Sequence, residues 1–141
     1  MARLFETRVS YYKTIENGSQ KKTIETYLVD AMSFAEAEAR TIEELTPYMS
    51  SEFTVKTAKR CNISEIVNLS ADRYYLSRVG FITIDEKTAK EKRTVSSILI
   101  GASSFDDAYQ RLKELMNSTV ADIQLVSLAE TSISDVITAK S

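Results

Sequence analysis

The chain says the same thing twice. Thr7-Arg8-Val9 returns as Ser77-Arg78-Val79. Leu28, Ala31, Ser33-Phe34, Ala37, Arg40 and Glu43 return as Leu99, Ala102, Ser104-Phe105, Ala108, Arg111 and Glu114. Ile63-Ser64-Glu65-Ile66 returns as Ile133-Ser134-Asp135-Val136. The displacement is 70 residues at both ends and 71 in the middle, so one residue is gained in the hairpin and lost after the helix. A repeat of this length constrains the fold strongly, because each copy is one supersecondary unit that must bury its apolar face with its neighbour. The expectation is one compact domain over 1–141, built from repeat 1–70 and repeat 71–141 in a pseudo-twofold arrangement.

Residues 3–14 alternate apolar and polar, with aromatic and β-branched side chains, and read as a strand. Asn17-Gly18 is a hairpin signal, and 21–30 alternates again. Ser33-Phe34-Ala35-Glu36 has the form of a capping box. It predicts a helix to about Met49 with Phe34, Ala37, Thr41, Leu45 and Met49 as its buried stripe. Strand 52–59 follows, and 61–69 closes the module as an irregular segment or one helical turn. The second copy gives strands 73–85 and 92–102, helix 105–117, strand 121–129 and the closing residues Ile133, Val136 and Ile137. Each module is thus β-β-α-β. The fold class is α+β, mostly antiparallel, with two helices. A right-handed crossover places the third strand parallel to the second, in the local order 2-1-3. The half-sheets could join edge to edge into six strands, stack, or exchange their third strands.

The strands carry apolar residues on both faces. Tyr27, Val29, Ile82, Ile84, Ile98 and Ile100 are assigned to the face away from the helices, where water calls for polar residues. Covering that face by a sister sheet or by another protomer is the reason to expect a homo-oligomer.

Charge and composition narrow the function. With 18 basic and 20 acidic side chains the net charge is −2, without the basic excess that duplex nucleic acid favours. There is no histidine, so the commonest general base and metal ligand is missing. Cys61 is the single cysteine, which rules out an internal disulfide and suits a small structural residue. No metal-ligand spacing or phosphate-cradling glycine loop occurs. No cofactor and no catalytic residues are expected, and an enzyme is disfavoured. No apolar run is long enough to span a membrane. The N-terminus has no signal-peptide core, so a cytoplasmic protein is expected.

What remains is a set of basic and aromatic residues. Arg8 and Arg78 sit in mid-strand on the helix-remote face, where a guanidinium needs a carboxylate or an anionic ligand. Lys22 and Arg93 open the second strands beside them, and Tyr12 and Tyr74 could stack on a planar group. Arg40 and Arg111 fit helix-surface ion pairs. The six residues Arg8, Arg78, Lys22, Arg93, Tyr12 and Tyr74 are the expected ligand site.

The runs Lys13-Thr14, Glu16-Asn17-Gly18, Gln20-Lys21-Lys22, Tyr27-Leu28-Val29-Asp30-Ala31 and Glu36-Ala37-Glu38-Ala39-Arg40 resemble an uncharacterised domain family of Bacteroidetes bacteria and their phages. Thr46-Pro47, Glu52-Phe53-Thr54-Val55 and Asp85-Glu86-Lys87 fit it too, so the likeness covers essentially the whole chain. It implies no activity, cofactor or site residue. It implies a small cytosolic protein with phage associations, for which counter-defence is an analogy of lifestyle. The leading expectation is a non-catalytic, oligomeric binding protein that sequesters an anionic nucleotide-like ligand at the repeat or protomer seam. The alternatives are a module docking a host or phage protein through its apolar sheet face, and a single-stranded nucleic-acid binder.

Overall fold

The computed structural model describes residues 3–119 and 122–138. The described elements are β1 (Arg3–Thr14), β2 (Gln20–Ala31), α1 (Phe34–Leu45), β3 (Phe53–Cys61), β4 (Glu65–Val67), β5 (Arg73–Ile84), β6 (Glu91–Ala102), α2 (Phe105–Asn117), β7 (Asp122–Glu130) and β8 (Ile133–Ile137). The eight strands form two mixed sheets, with two helices, so the chain is α+β. Sheet 1 runs β3-β1-β2-β8 and sheet 2 runs β4-β6-β5-β7. Two compact units result. Unit 1 holds β1–β3, α1 and β8; unit 2 holds β4–β7 and α2, with chain crossings after Cys61 and after Thr131.

Local chemistry sets each unit. Gly18 takes φ +84° in the first hairpin, and the Asn17 side chain accepts from the Ser19 amide at 2.9 Å, the Asx geometry that reverses a chain. Ser33 accepts from the Glu36 amide and Ser104 from the Asp107 amide, each at 3.1 Å. These bonds satisfy amides that a helix start leaves open. Asp107 returns to the Ser103 amide at 3.0 Å. Glu36 does not return to its cap; it pairs with Arg40 at 2.8 Å. Helix α1 ends at Leu45 and tightens into a 3-10 turn over Thr46–Tyr48, with Pro47 at its start, where a missing amide hydrogen is harmless.

Two expectations need correction. The closing segments are strands, and they, not the third strands, cross between units. β3 stays beside β1, and β7 beside β5. β4 pairs in parallel with β6, and β8 in parallel with β2. A three-residue strand is too short to show a period, so sequence pattern cannot distinguish it from a loop. Gly101 makes room for the exit from β4: a Cβ there would lie 2.1 Å from the Asn68 carbonyl oxygen. Asn68 takes φ 63° and donates to the Gly101 carbonyl at 3.1 Å.

The second correction concerns faces. Register pairs Phe5 with Val29, Thr7 with Tyr27, Tyr75 with Ile100 and Ser77 with Ile98. Directly opposed residues share a face, so Tyr27, Val29, Ile98 and Ile100 meet the helices rather than the opposite side. They pack there with Phe5, Val9 and Ala37 in unit 1, and with Val79, Ala108 and Leu112 in unit 2. The helix-remote residues of the second strands include Leu28 and Leu99, both fully buried, as is Tyr74 on β5. Ile82 and Ile84 of β5 do lie on the helix-remote face, as expected, and Ile84 is 68% exposed.

Candidate functional site

The six expected ligand residues fall in two groups of three. Arg8, Tyr12 and Lys22 belong to sheet 1, and Arg78, Tyr74 and Arg93 to sheet 2. Opposed pairing of Arg8 with Thr26, and of Tyr12 with Lys22, puts the first group on the helix-remote face. Pairing of Arg78 with Ser97, Tyr74 with Gly101 and Ile82 with Arg93 does the same for the second.

In unit 1 the arginine already has its partner. Glu6 lies two residues before Arg8 on the same face, with Oε1 3.5 Å from the Arg8 Nε. Glu6 also reaches Lys59 of β3, at 3.7 Å. These are exposed pairs of small energetic value, yet they put a carboxylate where an incoming anion would have to sit. Tyr12 and Lys22 are exposed, close to the turn of the hairpin.

In unit 2 no carboxylate takes that place. Leu76 stands two residues before Arg78, where Glu6 stands before Arg8. Among the described residues neither Arg78 nor Arg93 makes an ion pair, and both are exposed. Arg93 folds across the sheet onto Gly80. Its Nε lies 2.6 Å from the point a Cβ on Gly80 would occupy, so a side chain there would have to displace the arginine. Gly80 is two residues from Arg78, roughly 7 Å along a strand. Ser97 and Ser127 flank Arg78 in register, and Gln124 flanks Gly80. The result is a strip of neutral donors with two cations on one face, and Asp122 flanks Ile82 on the side away from Arg93. Tyr74 does not join it. Its ring is buried and its hydroxyl donates to the Leu69 carbonyl at 2.5 Å, so the expected stacking role is withdrawn.

A cleft lies elsewhere, in unit 1 on the helix side of sheet 1. It measures about 750 Å³. Glu25 of β2 lies in its wall and accepts from two phenols, Tyr11 at 2.6 Å and Tyr27 at shorter range. The Tyr11 hydroxyl is pushed up by that bond, then by burial. The Tyr27 hydroxyl is pushed well up by burial first, then by the bond to Glu25 and by the Glu25 and Asp135 charges. Both phenols therefore hold their protons and act as donors, not bases. Glu44 from α1, Asp135 from β8 and Lys13 complete the charged lining, and Tyr48 and Met49 supply apolar wall. With three carboxylates against one ammonium, the cleft repels anions and suits N–H donors. The sequence contained a signal for it. Glu25 follows the apolar Ala31, Val29 and Tyr27 positions on the helix side of β2, opposite Val9, and an acid placed there needs donors.

The remaining candidates are structural. Cys61 is half-buried and its thiol is pushed up by burial and by Glu6, 3.9 Å away. Arg40 bridges Glu36 and the Asp30 carbonyl, tying α1 to β2, whereas Arg111 reaches only Asp107, at 3.2 Å. Asp135 accepts from the following amide at 2.8 Å. Among the described residues no helix is long and apolar enough to cross a membrane. Compared with known families, residues 3–139 match the model described as Domain of unknown function (DUF4494). No curated protein matches the chain.

Proposed function

The chain belongs to this family of unknown function, and on that premise we propose that it is a non-catalytic binding protein holding an anionic, nucleotide-like small ligand against sheet 2. The observation that carries the reading is that Arg78 and Arg93 lie exposed on one face of sheet 2, with Arg93 reaching Gly80, and that neither makes an ion pair among the described residues. Two guanidinium groups on one face suit a phosphate or diphosphate through charge-assisted bonds. Ser97, Ser127 and Gln124 add neutral donors on the same strip. The two units are read as copies of one duplicated module with a pseudo-twofold relation, in which Glu6 has closed the first copy to anions and Leu76 leaves the second open. A setting in Bacteroidetes phages, and counter-defence by sequestering such a ligand, belong to the same proposal.

The test is thermal shift and calorimetry with ADP and with inorganic pyrophosphate. The parent should be stabilised by a probe, less so as salt rises. Arg78→Ala or Arg93→Ala should weaken binding at least about tenfold, and Arg8→Ala should not. If neither probe binds, or if Arg8→Ala weakens binding as much, the reading fails.

The unit 1 cleft favours a second reading. Its acceptor-rich wall around Glu25 suits a lysine or arginine side chain of a partner protein. A pull-down whose single stoichiometric partner is lost with Glu25→Gln and kept with Arg78→Ala would select it.

A further inference from the structure

The outer strands of the two sheets differ in how they meet solvent. β3 and β7 pair with the rest of their sheets along one side only, which leaves amide and carbonyl groups directed outward. Both carry a bulge at the same step. Arg8 pairs with Thr57 and Val9 with Val55, which leaves Lys56 unpaired. Arg78 pairs with Ser127 and Val79 with Leu125, which leaves Val126 unpaired. The bulge residue of β3 is thus a lysine, followed by Lys59 and Arg60. The bulge residue of β7 is a valine.

This difference decides what each edge can pair with. Lysine on an outer strand is a common guard against pairing with another strand. Two copies of β3 side by side would bring six cations together. β7 has no such guard: the seven residues Ile123-Gln124-Leu125-Val126-Ser127-Leu128-Ala129 carry no charge and no proline. Its acids, Asp122 and Glu130, stand only at the ends. Leu125 and Val126 are 38% and 41% exposed. We infer that β7 is a self-association edge, pairing antiparallel with β7 of a second copy of this chain. The second copy is the fitting occupant because a neutral run placed against itself carries no like-charge cost. A register displaced by one or two residues from full overlap also separates Asp122 from the partner's acid at the far end. The pairing is isologous, as twofold dimers require, and it uses none of the residues of the arginine strip's cationic pair.

The experiment is light scattering together with hydrogen exchange, over a concentration series reaching about 100 μM, where a weak dimer is populated by mass action. The parent should approach twice the monomer mass, and amides within 122–130 should gain protection as concentration rises. Val126→Lys copies the residue that β3 tolerates at its own bulge, so the fold should stand. It should raise the dimer dissociation constant at least about tenfold, since two ammonium groups then meet at the seam. Arg78→Ala, which the ligand reading requires to weaken ADP binding, should leave the dimer dissociation constant unchanged, which separates this inference from the ligand reading. A parent that stays monomeric throughout overturns the inference and leaves the edge to a foreign strand. A dimer that survives Val126→Lys, with exchange in 122–130 independent of concentration, overturns it as well.

Discussion

Helix α1 and helix α2 meet their sheets with different chemistry. In unit 1 the contact includes two fully buried threonines, Thr7 on β1 and Thr41 on α1, with oxygens 3.0 Å apart. Thr41 gives its one proton to the Ala37 carbonyl at 2.8 Å, so Thr7 is the donor to Thr41. In unit 2 Leu112 occupies the helix position and is 1% exposed, while Ser77 turns to the Ile98 carbonyl at 2.9 Å. A hydroxyl pair and a leucine fill the same kind of space. The first ties helix and strand by a directed bond; the second depends on apolar area. A difference of the same kind recurs outside the cores, where Glu6 lies beside Arg8 but Leu76 stands before Arg78, and the bulge residue is Lys56 on β3 but Val126 on β7.

The comparison can be broken by substitution. Leu112→Ala should be the most damaging, lowering unfolding free energy in urea by about 2–5 kcal/mol through lost burial and an unfilled cavity. If it costs less than about 1 kcal/mol, unit 2 does not rely on that leucine as argued. Thr41→Val should cost about 1–3 kcal/mol, because it leaves the Thr7 hydroxyl buried without an acceptor. Adding Thr7→Val should recover part of that loss, since removing both polar groups is cheaper than removing one.

Smaller effects sharpen the contrast at the cleft and the helix start. Tyr27→Phe removes one of two donors to Glu25 and should cost about 1 kcal/mol at neutral pH. Tyr11 and Tyr27 are both raised in the folded chain. Their contribution is complete below the unfolded tyrosine value of about 10 and is lost as pH rises through the folded values. The parent should therefore lose stability above that point, and the Tyr11→Phe/Tyr27→Phe double variant should show a flatter alkaline limb in thermal melts. The smallest change is expected for Asp107→Asn. The Ser103 amide, then the Arg111 guanidinium, holds this carboxyl below the usual range. Its contribution is present above the unfolded aspartate value of about 4 and is lost as pH falls through the folded one. The variant should flatten the acid limb slightly.

Much of the fold was legible because it is local. The alternation of 3–14, the turn at Asn17-Gly18, the caps at Ser33 and Ser104 and the stripe of α2 each speak within a dozen residues. They place the strands and helices and give the order β3-β1-β2 within a unit. The faces of the second strands were misassigned because the turn, not the strand pattern, sets register, and a slip of one residue inverts every side chain. The site was legible only in part. A repeated mid-strand arginine could be seen to need an anion, but not which copy already had one. That depends on Glu6 of its own strand and Lys59 of β3, and on Arg93 lying across Gly80.

The sequence by itself determined the β-β-α-β course of each half, the helix caps, the absence of histidine and the uncharged run of β7. Backbone preference and side-chain alternation act over neighbouring residues, and they carry that information without reference to the rest of the chain. The tertiary structure decided that β4, which closes the first half of the chain, joins sheet 2 and that β8, which closes the second, joins sheet 1, that Glu25 gathers Tyr11 and Tyr27, and that Arg93 lies across Gly80. Those outcomes rest on segments far apart in the chain coming within a few ångströms of each other. Electrostatic and hydrogen-bond partners are set by that proximity, and no local pattern records it.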